Sequence, residues 1–273
     1  MGNVYIIGTL DVAQLAFILF FIFFVGLVLY LNRESRREGY PLEHEQTGRI
    51  EPVESFFDWD KKVFDLPHDR GIYIPEDVPR DELSKVENIP AKQSFGGGGA
   101  PWVPTGDPLA DGMGPAAWTP REDYPDLTFD GALRIVPLAD SHDIKIADHD
   151  DNPVGLPVYG ADKQLAGTVS DVWVDQSEHI IRYLEVTTGS GKQVLVPMPF
   201  AAVQGTGFLG GFTPLRDDKQ ALIDVTALRA DQFDAVPTIA TPGQITRREE
   251  DRIMGYFGGG YMYATPERSQ PWL

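Results

Sequence analysis

Val12 to Leu31 reads VAQLAFILFFIFFVGLVLYL, an unbroken apolar run whose one strongly polar side chain is Gln14. A helix needs about twenty such residues, at roughly 1.5 Å each, to cross the ~30 Å hydrocarbon core of a bilayer. A secretory signal would instead carry a basic segment before a shorter apolar core, and a small-residue cleavage site after it. Residues 1–11 contain no Lys or Arg, and the run passes directly into LNRESRREGY. The stretch is therefore read as a retained single-pass helix. Arg33, Arg36 and Arg37 lie just beyond it, whereas the preceding segment carries only Asp11. The positive-inside rule then places the N-terminus outside and everything after Arg33 in the cytoplasm. Tyr30 falls where an interfacial aromatic anchors a helix end. Gly26 stands without the small-xxx-small spacing that draws membrane helices together.

The remainder of the chain is long enough for one or two domains, and 42% hydrophobic residues leave material for a core after the span is subtracted. With no cysteine, disulfides and thiolate metal sites are excluded. The formal charge of −18 repels nucleic acid and anionic headgroups, so neither is expected as a partner of the main domain. Such acidity serves solubility. The alternative meaning is that crowded carboxylates raise one another's pKa values and so hold and pass protons near neutral pH, and the sequence alone does not choose between the two.

Five segments follow from the pattern along the chain: 1–11 outside the membrane, 12–31 the span, 32–118 an extended segment, 119–245 a β domain, and 246–273 a short helix and tail. The extended segment is rich in Pro, Gly and charge, with strand-like pieces at Lys62–Leu66 and Gly71–Ile74, a helical turn or two at Asp81–Glu87, and a hinge at Gly96–Gly99. A segment this long without a core of its own lies on something else, here a partner's surface. From Leu133 onward, LRIVPL, GLPVYG, GTVSDVWVD, IIRYLEVTT and KQVLVPM are short β-branched and aromatic runs separated by turn residues. They predict a small, mainly antiparallel barrel or sandwich. Ala227–Phe233 reads as a short helix, and Thr246 as the N-cap of RREEDRIMGYF with Glu249 completing a capping box.

Catalytic signatures are missing: there is no GxSxG, HExxH, Walker loop or dinucleotide-type glycine motif, and GFLGGF at Gly207–Phe212 reads as a turn. The histidines, His44, His68, His142, His149 and His179, show no metal-ligand spacing and read as surface residues. His142 and His149 lie among Asp143, Asp148, Asp150 and Asp151, which would raise their pKa into the range useful for proton exchange. The most informative stretch is DVWVDQSEHIIRYLEV, which sets Asp175 and Glu178 in an apolar β context near Arg182. One reading is a strand–turn–strand with a Glu178–Arg182 salt bridge. Another is a part-buried carboxylate whose pKa is raised by burial and lowered by Arg182, suited to carrying a proton. A third, acid–base catalysis by Asp175 and Glu178, lacks any surrounding substrate pocket in the sequence.

Several long runs resemble one known family in order along nearly the whole chain: DVAQLA, YLNRESRREGYPLE, PTGDPLADGMGPAAW, GLPVYGADKQLAGTVSDVWVDQSEHIIRYLEV and QITRREEDRIMGYFGGGYMYATPER. The family is the H subunit of the purple-bacterial photosynthetic reaction centre, whose β part is a PRC-barrel. The resemblance implies a non-enzymatic subunit of the bacterial inner (chromatophore) membrane, with one span and a cytoplasmic domain capping the L and M subunits. Those subunits would carry the bacteriochlorophyll, bacteriopheophytin, quinones and non-haem iron, and this chain no cofactor of its own. A light-harvesting antenna ring and membrane lipids are further candidate neighbours. The implied role is to stabilise the L/M core, shield the quinone sites, and help conduct protons to the secondary quinone during light-driven cyclic electron transfer.

On that resemblance Glu178 and Arg182 match the family's internal acid and arginine near the quinone-side proton path, and Asp175 the aspartate before them. Some family members place paired histidines at the proton entry. Here that region reads LTFDGALRIVPL, with no histidine, so proton entry either uses Asp130 with neighbours such as Asp126 or lies elsewhere. The competing reading is a membrane-tethered PRC-barrel adaptor with no role in proton transfer, for which the long Glu43–Trp118 segment would have no use.

Overall fold

Gln14, the polar exception in the apolar run, closes the start of the helix. The computed structural model describes residues 5–7, 10–36, 49, 62–74, 90–141, 143–147, 150, 152–204 and 221–269, divided into two compact units, Met1–Glu82 and Leu83–Leu273. In the first unit, β1 (Tyr5–Ile7) and β2 (Leu10–Asp11) form a small antiparallel pair that leads into α1 (Val12–Ser35). The Asp11 carboxylate accepts the Gln14 N–H at 2.8 Å, and the Gln14 side-chain oxygen accepts the Asp11 N–H at 3.2 Å. This reciprocal cap satisfies two of the donors that every helix start leaves unpaired. The helix runs on to Ser35 rather than stopping at Leu31, which puts Arg33 in its last turn, where a cation favours the helix dipole. Arg36 caps its end, donating its N–H to the Arg33 carbonyl at 3.2 Å, and Arg37 lies outside the described residues.

None of the α1 side chains is buried, and apolar residues cover its whole circumference. A helix that is apolar all round belongs in a core or in lipid. One turn apart, Phe17 packs tilted against Phe21 and Phe20 stacks on Phe24, with ring centres 4.7 and 5.9 Å apart. The same unit holds a hairpin of β3 (Phe64–Leu66) and β4 (Gly71–Tyr73), as the sequence pattern expects. Its turn is made by His68 and Asp69, both at positive φ.

The second unit opens with a hairpin of β5 (Ala91–Gln93) and β6 (Trp102–Pro104) around the Gly96–Gly99 loop. Residues Asp81–Glu87 are outside the described set. The main sheet comprises β7 (Ile135–Pro137), β8 (Pro157–Tyr159), β9 (Leu165–Asp175), β10 (Ile180–Thr188), β11 (Gln193–Pro197), β12 (Ala202–Gln204) and β13 (Leu222–Asp224). Its order is β11-β10-β9-β8-β13-β12, with β7 pairing the far end of β9. All pairs are antiparallel except β8 with β13. The expected fold class is what forms: an apolar helix, a mainly-β domain and a C-terminal helix. The barrel, however, is not closed, because no ladder joins the two end strands among the described residues.

The core is instead completed by α2 (Arg247–Tyr263), which packs on β11 and inserts Ile253 and Phe257 beside Trp173, Leu184, Val186 and Phe233. The Thr246–Glu249 capping box forms as read, with Glu249 N–H donating to Thr246 Oγ1 at 3.3 Å and Thr246 N–H to Glu249 Oε2 at 2.8 Å. The expected helix at Ala227–Phe233 is displaced to a 3₁₀ turn at Ala230–Ala235. Residues 109–118 lie against α2 of the same chain, through a 3₁₀ turn at Gly114–Ala116.

Candidate functional site

The turn between β9 and β10 is held by one carboxylate. Asp175 ends β9 fully buried, and its Oδ1 accepts the N–H groups of Ser177 and Glu178 at 2.9 and 3.0 Å. Its Oδ2 accepts Arg134 Nε at 2.8 Å, while Arg134 Nη2 reaches the Glu178 carboxylate. Arg134 is there because β7 pairs with β9 in a register that sets Ile135 opposite Asp175. Burial pushes the Asp175 carboxyl upward, but the Arg134 hydrogen bond together with the two backbone N–H groups outweighs it and holds the group below the usual carboxylate range. Asp175 is thus an ionised anchor, and its oxygens have no face left for a substrate.

The expected Glu178–Arg182 salt bridge does not form. Glu178 is half exposed and paired with Arg134. Arg182 falls at an irregularity in the β9–β10 ladder, between the Ile181–Val174 and Tyr183–Trp173 pairs, and lines a cavity instead. The five sequence-level candidates therefore occupy three places. Asp175 and Glu178 share Arg134. Arg182 and Asp126 share the cavity. Asp130 sits exposed on the Leu127–Leu133 turn, accepting a hydrogen bond from Thr128 Oγ1 at 2.5 Å.

That cavity, about 570 Å³, lies between β10, the Arg121–Asp126 segment and α2. Ile180, Ile181, Pro197, Met198, Pro199 and Met254 form its apolar wall. On its polar side Arg247 Nε donates to Asp126 at 2.6 Å, and Arg121 Nε to Asp251 at 2.9 Å. Between these pairs, Tyr183 donates its hydroxyl to Glu250 Oε2 at 2.7 Å. Burial raises the Glu250 pKa, and Asp126 and Asp251 add to the rise, against the lowering effects of the Tyr183 hydrogen bond and Arg182. Burial also raises Tyr183, so its hydroxyl stays protonated and remains a donor. A carboxyl poised by burial and tempered by Arg182 is the arrangement read from the sequence for Glu178, and the structure builds it at Glu250.

Arg134, Tyr183 and Glu250 were all missed by motif reading. A signal was nonetheless present in α2: Glu249, Ile253, Tyr256, Phe257 and Gly260 are buried at helical spacing, and the half-buried Glu250 stands at the border of that face. Of the histidines, His179 is exposed in the β9–β10 turn, while His44, His142 and His149 lie outside the described residues. No group of three His, Asp or Glu side chains is placed to hold a metal among the described residues.

An apolar helix of membrane-spanning length, an open β-sheet domain closed by a helix, and a buried carboxyl beside an amphipathic cavity define a helix-anchored β-domain protein. Residues 4–140, half of the chain, match the family model described as photosynthetic reaction centre, H-chain N-terminal region, and residues 146–231 match the PRC-barrel domain. The chain belongs to the reaction-centre H-chain family, as the sequence resemblance implied. An uncharacterized protein of Deinococcus radiodurans is 32% identical over 122 residues, covering 44% of this chain and 42% of that protein. The chain thus spans less than half the length of that curated relative.

Proposed function

We propose that this chain is the H subunit of a photosynthetic reaction centre in a bacterial inner membrane, with its N-terminus periplasmic and its β domain cytoplasmic. In that role it is a non-enzymatic subunit that binds no pigment. It stabilises the L and M subunits, which hold the bacteriochlorophyll, bacteriopheophytin, quinones and non-haem iron, and it shields the quinone sites from bulk water. The observation that carries this reading is the family match running from before the apolar helix to the first turn of the main sheet. The helix itself supports the membrane assignment by length and composition.

Proton conduction toward the secondary quinone is the chemical part of the proposal. Asp126 and Asp130 stand on the chain segment just before the main sheet, and Asp126 with Arg182 lines the cavity that holds Glu250. Asp175 and Glu178 hold the β9–β10 turn that leads into β10, the strand carrying Arg182. Glu250 has the property a relay needs, a carboxyl whose affinity for a proton is raised above the usual range by burial and by Asp126 and Asp251. In detergent-purified complex, the visible and near-infrared spectrum should show bacteriochlorophyll bands, and two multispanning subunits should copurify. A colourless monomer from the native membrane would overturn the assignment. Within the complex, Glu250→Gln should slow proton uptake coupled to quinone reduction by about tenfold or more, with primary charge separation intact. Glu178→Gln should slow it less, since Glu178 is already paired. An unchanged uptake rate in Glu250→Gln would remove that residue from the path.

A further inference from the structure

The cavity beside Glu250 is lined by three guanidinium groups and three carboxyls, not all of them paired with one another. Two of its guanidinium groups are neutralised in place, Arg247 by Asp126 and Arg121 by Asp251. The Glu250 carboxyl is engaged by the Tyr183 hydroxyl. Arg182 is the remaining cation; its charge reaches Glu250, whose pKa it lowers, but among the described residues its guanidinium makes no hydrogen bond and no salt bridge within 4 Å. An arginine carries five donors in a fixed fork that fits a carboxylate or phosphate. Leaving that fork unused on a chain with a formal charge of −18, where acceptors are plentiful, is a specific feature of this spot.

The opposite wall is built for something else. Ile180, Ile181, Met198 and Met254 line it, and Ile180 and Met254 stay 44% and 38% exposed. Methionines adapt to flexible apolar partners, and a volume of about 570 Å³ lies in the range of small-ligand sites. A bare inorganic anion would use the guanidinium and leave this wall wet. A purely apolar molecule would bury the wall and strand Arg182.

We propose that this cavity binds a small amphiphile with one anionic head, a carboxylate or a monoalkyl phosphate on a hydrocarbon tail, its head on Arg182 and its tail along Ile180, Ile181, Met198 and Met254. The proposal goes beyond the subunit's assembly role and does not depend on protons passing Glu250. Fatty acid and lipid-derived phosphate share this chemistry.

The test is calorimetric titration of the full chain in non-ionic detergent with decyl phosphate, decanoate, inorganic phosphate and decanol. Decyl phosphate and decanoate should each bind one per chain, and inorganic phosphate and decanol at least about tenfold more weakly. Arg182→Gln should weaken decyl phosphate about tenfold or more, with Arg182→Lys falling between because it keeps the charge and loses the fork. Met254→Glu, at an exposed position that the fold tolerates, should weaken it by repelling the head and wetting the wall. Inorganic phosphate binding as tightly as decyl phosphate would overturn the amphiphile, leaving only an anion site. Decanol binding as tightly would overturn the role of Arg182, as would an Arg182→Gln affinity equal to that of the native chain.

Discussion

Asp175 and Glu250 are both carboxyls withdrawn from water, and both feel burial as the largest influence on their ionisation. What separates them is the donors each is given. Asp175 has a guanidinium and two backbone N–H groups in hydrogen bonds, enough to reverse the effect of burial; Glu250 has one neutral hydroxyl and the charge of Arg182 without a hydrogen bond, set against two acidic neighbours, which is not enough. The consequences for stability have opposite signs. Asp175, depressed in the folded state, contributes stability that is complete above its unfolded pKa of about 4 and is lost as pH falls through its folded value. Asp175→Ala should cost about 3 kcal/mol at pH 7, the low end for breaking a buried pair, because Arg134 stays 28% exposed and rehydrates. Chemical denaturation at pH 7 and again below pH 3 checks this, and the difference between native and variant should shrink at the acid end. Glu250, raised in the folded state, binds its proton more tightly folded than unfolded, so stability declines as pH rises from its unfolded value, about 4.3, through its folded one. Glu250→Gln keeps an acceptor for Tyr183 and removes that decline. Melting temperatures of the two chains from pH 4 to pH 9 should therefore converge at low pH and favour the variant at high pH.

At the scale of elements, α2 shows how close packing limits substitution. Its Gly260 lies against the Ala227 carbonyl, and a Cβ there would collide with it and sit 2.7 Å from Leu228 Cδ2. A Cβ on Gly255 would likewise come within 2.8 and 3.0 Å of the Ala116 and Ala117 carbonyl oxygens. Replacing a mid-helix glycine with alanine ordinarily gains about 1 kcal/mol, whereas forcing a methyl into a packed interface costs about 1–3 kcal/mol. The rigid carbonyl decides for the cost, and Gly260→Ala should lower the melting temperature by several degrees, roughly 2–4 °C for each kcal/mol lost in a domain of this size. Both helices were legible in the sequence because their signals are local: α1 from its apolar run, and α2 from the Thr246–Glu249 box and its inward face. Strands β3, β4 and β7 to β11 were legible one by one for the same reason, whereas β1, β2, β5, β6, β12 and β13, two or three residues each, were not read. The way they join was not, since the parallel β8–β13 pair rests on only Ile223 opposite Val158 and Asp224 opposite Tyr159, and nothing local encodes it. The site was half legible on the same grounds. Asp126, Asp175, Glu178 and Arg182 stand out as charges in apolar context, but Arg134 reaches Asp175 and Glu178 from 41 and 44 residues away. A non-local partner changed which carboxyl is fixed and which is poised.

For the molecule as a whole, the question set by its charge is which side of a membrane the acidic β domain occupies. A net charge of −18 might be thought to exclude that domain from either leaflet equally, yet acidic residues contribute little to topology. What counts is Lys and Arg within about 15–20 residues of the span, and there the asymmetry is plain: Arg33, Arg36 and Arg37 cluster at the C-terminal end of α1, and residues 1–11 carry none. Arg33 and Arg36 sit in the last turn and cap of the helix, where the dipole also favours a cation, so the two effects act together rather than in competition. The orientation should therefore be reversible by moving these charges without touching the β domain. Replacing Arg33, Arg36 and Arg37 with Gln while introducing Gly2→Arg, Asn3→Arg and Gly8→Arg should carry the β domain to the opposite face in a substantial fraction of chains. Protease digestion of sealed vesicles of known sidedness reads this directly: the native chain should be cut only where the cytoplasmic face is exposed, and the rearranged chain on the other face as well. Identical digestion patterns for the two would mean that the arginines do not set the orientation, and that contacts made by the β domain hold the helix in place.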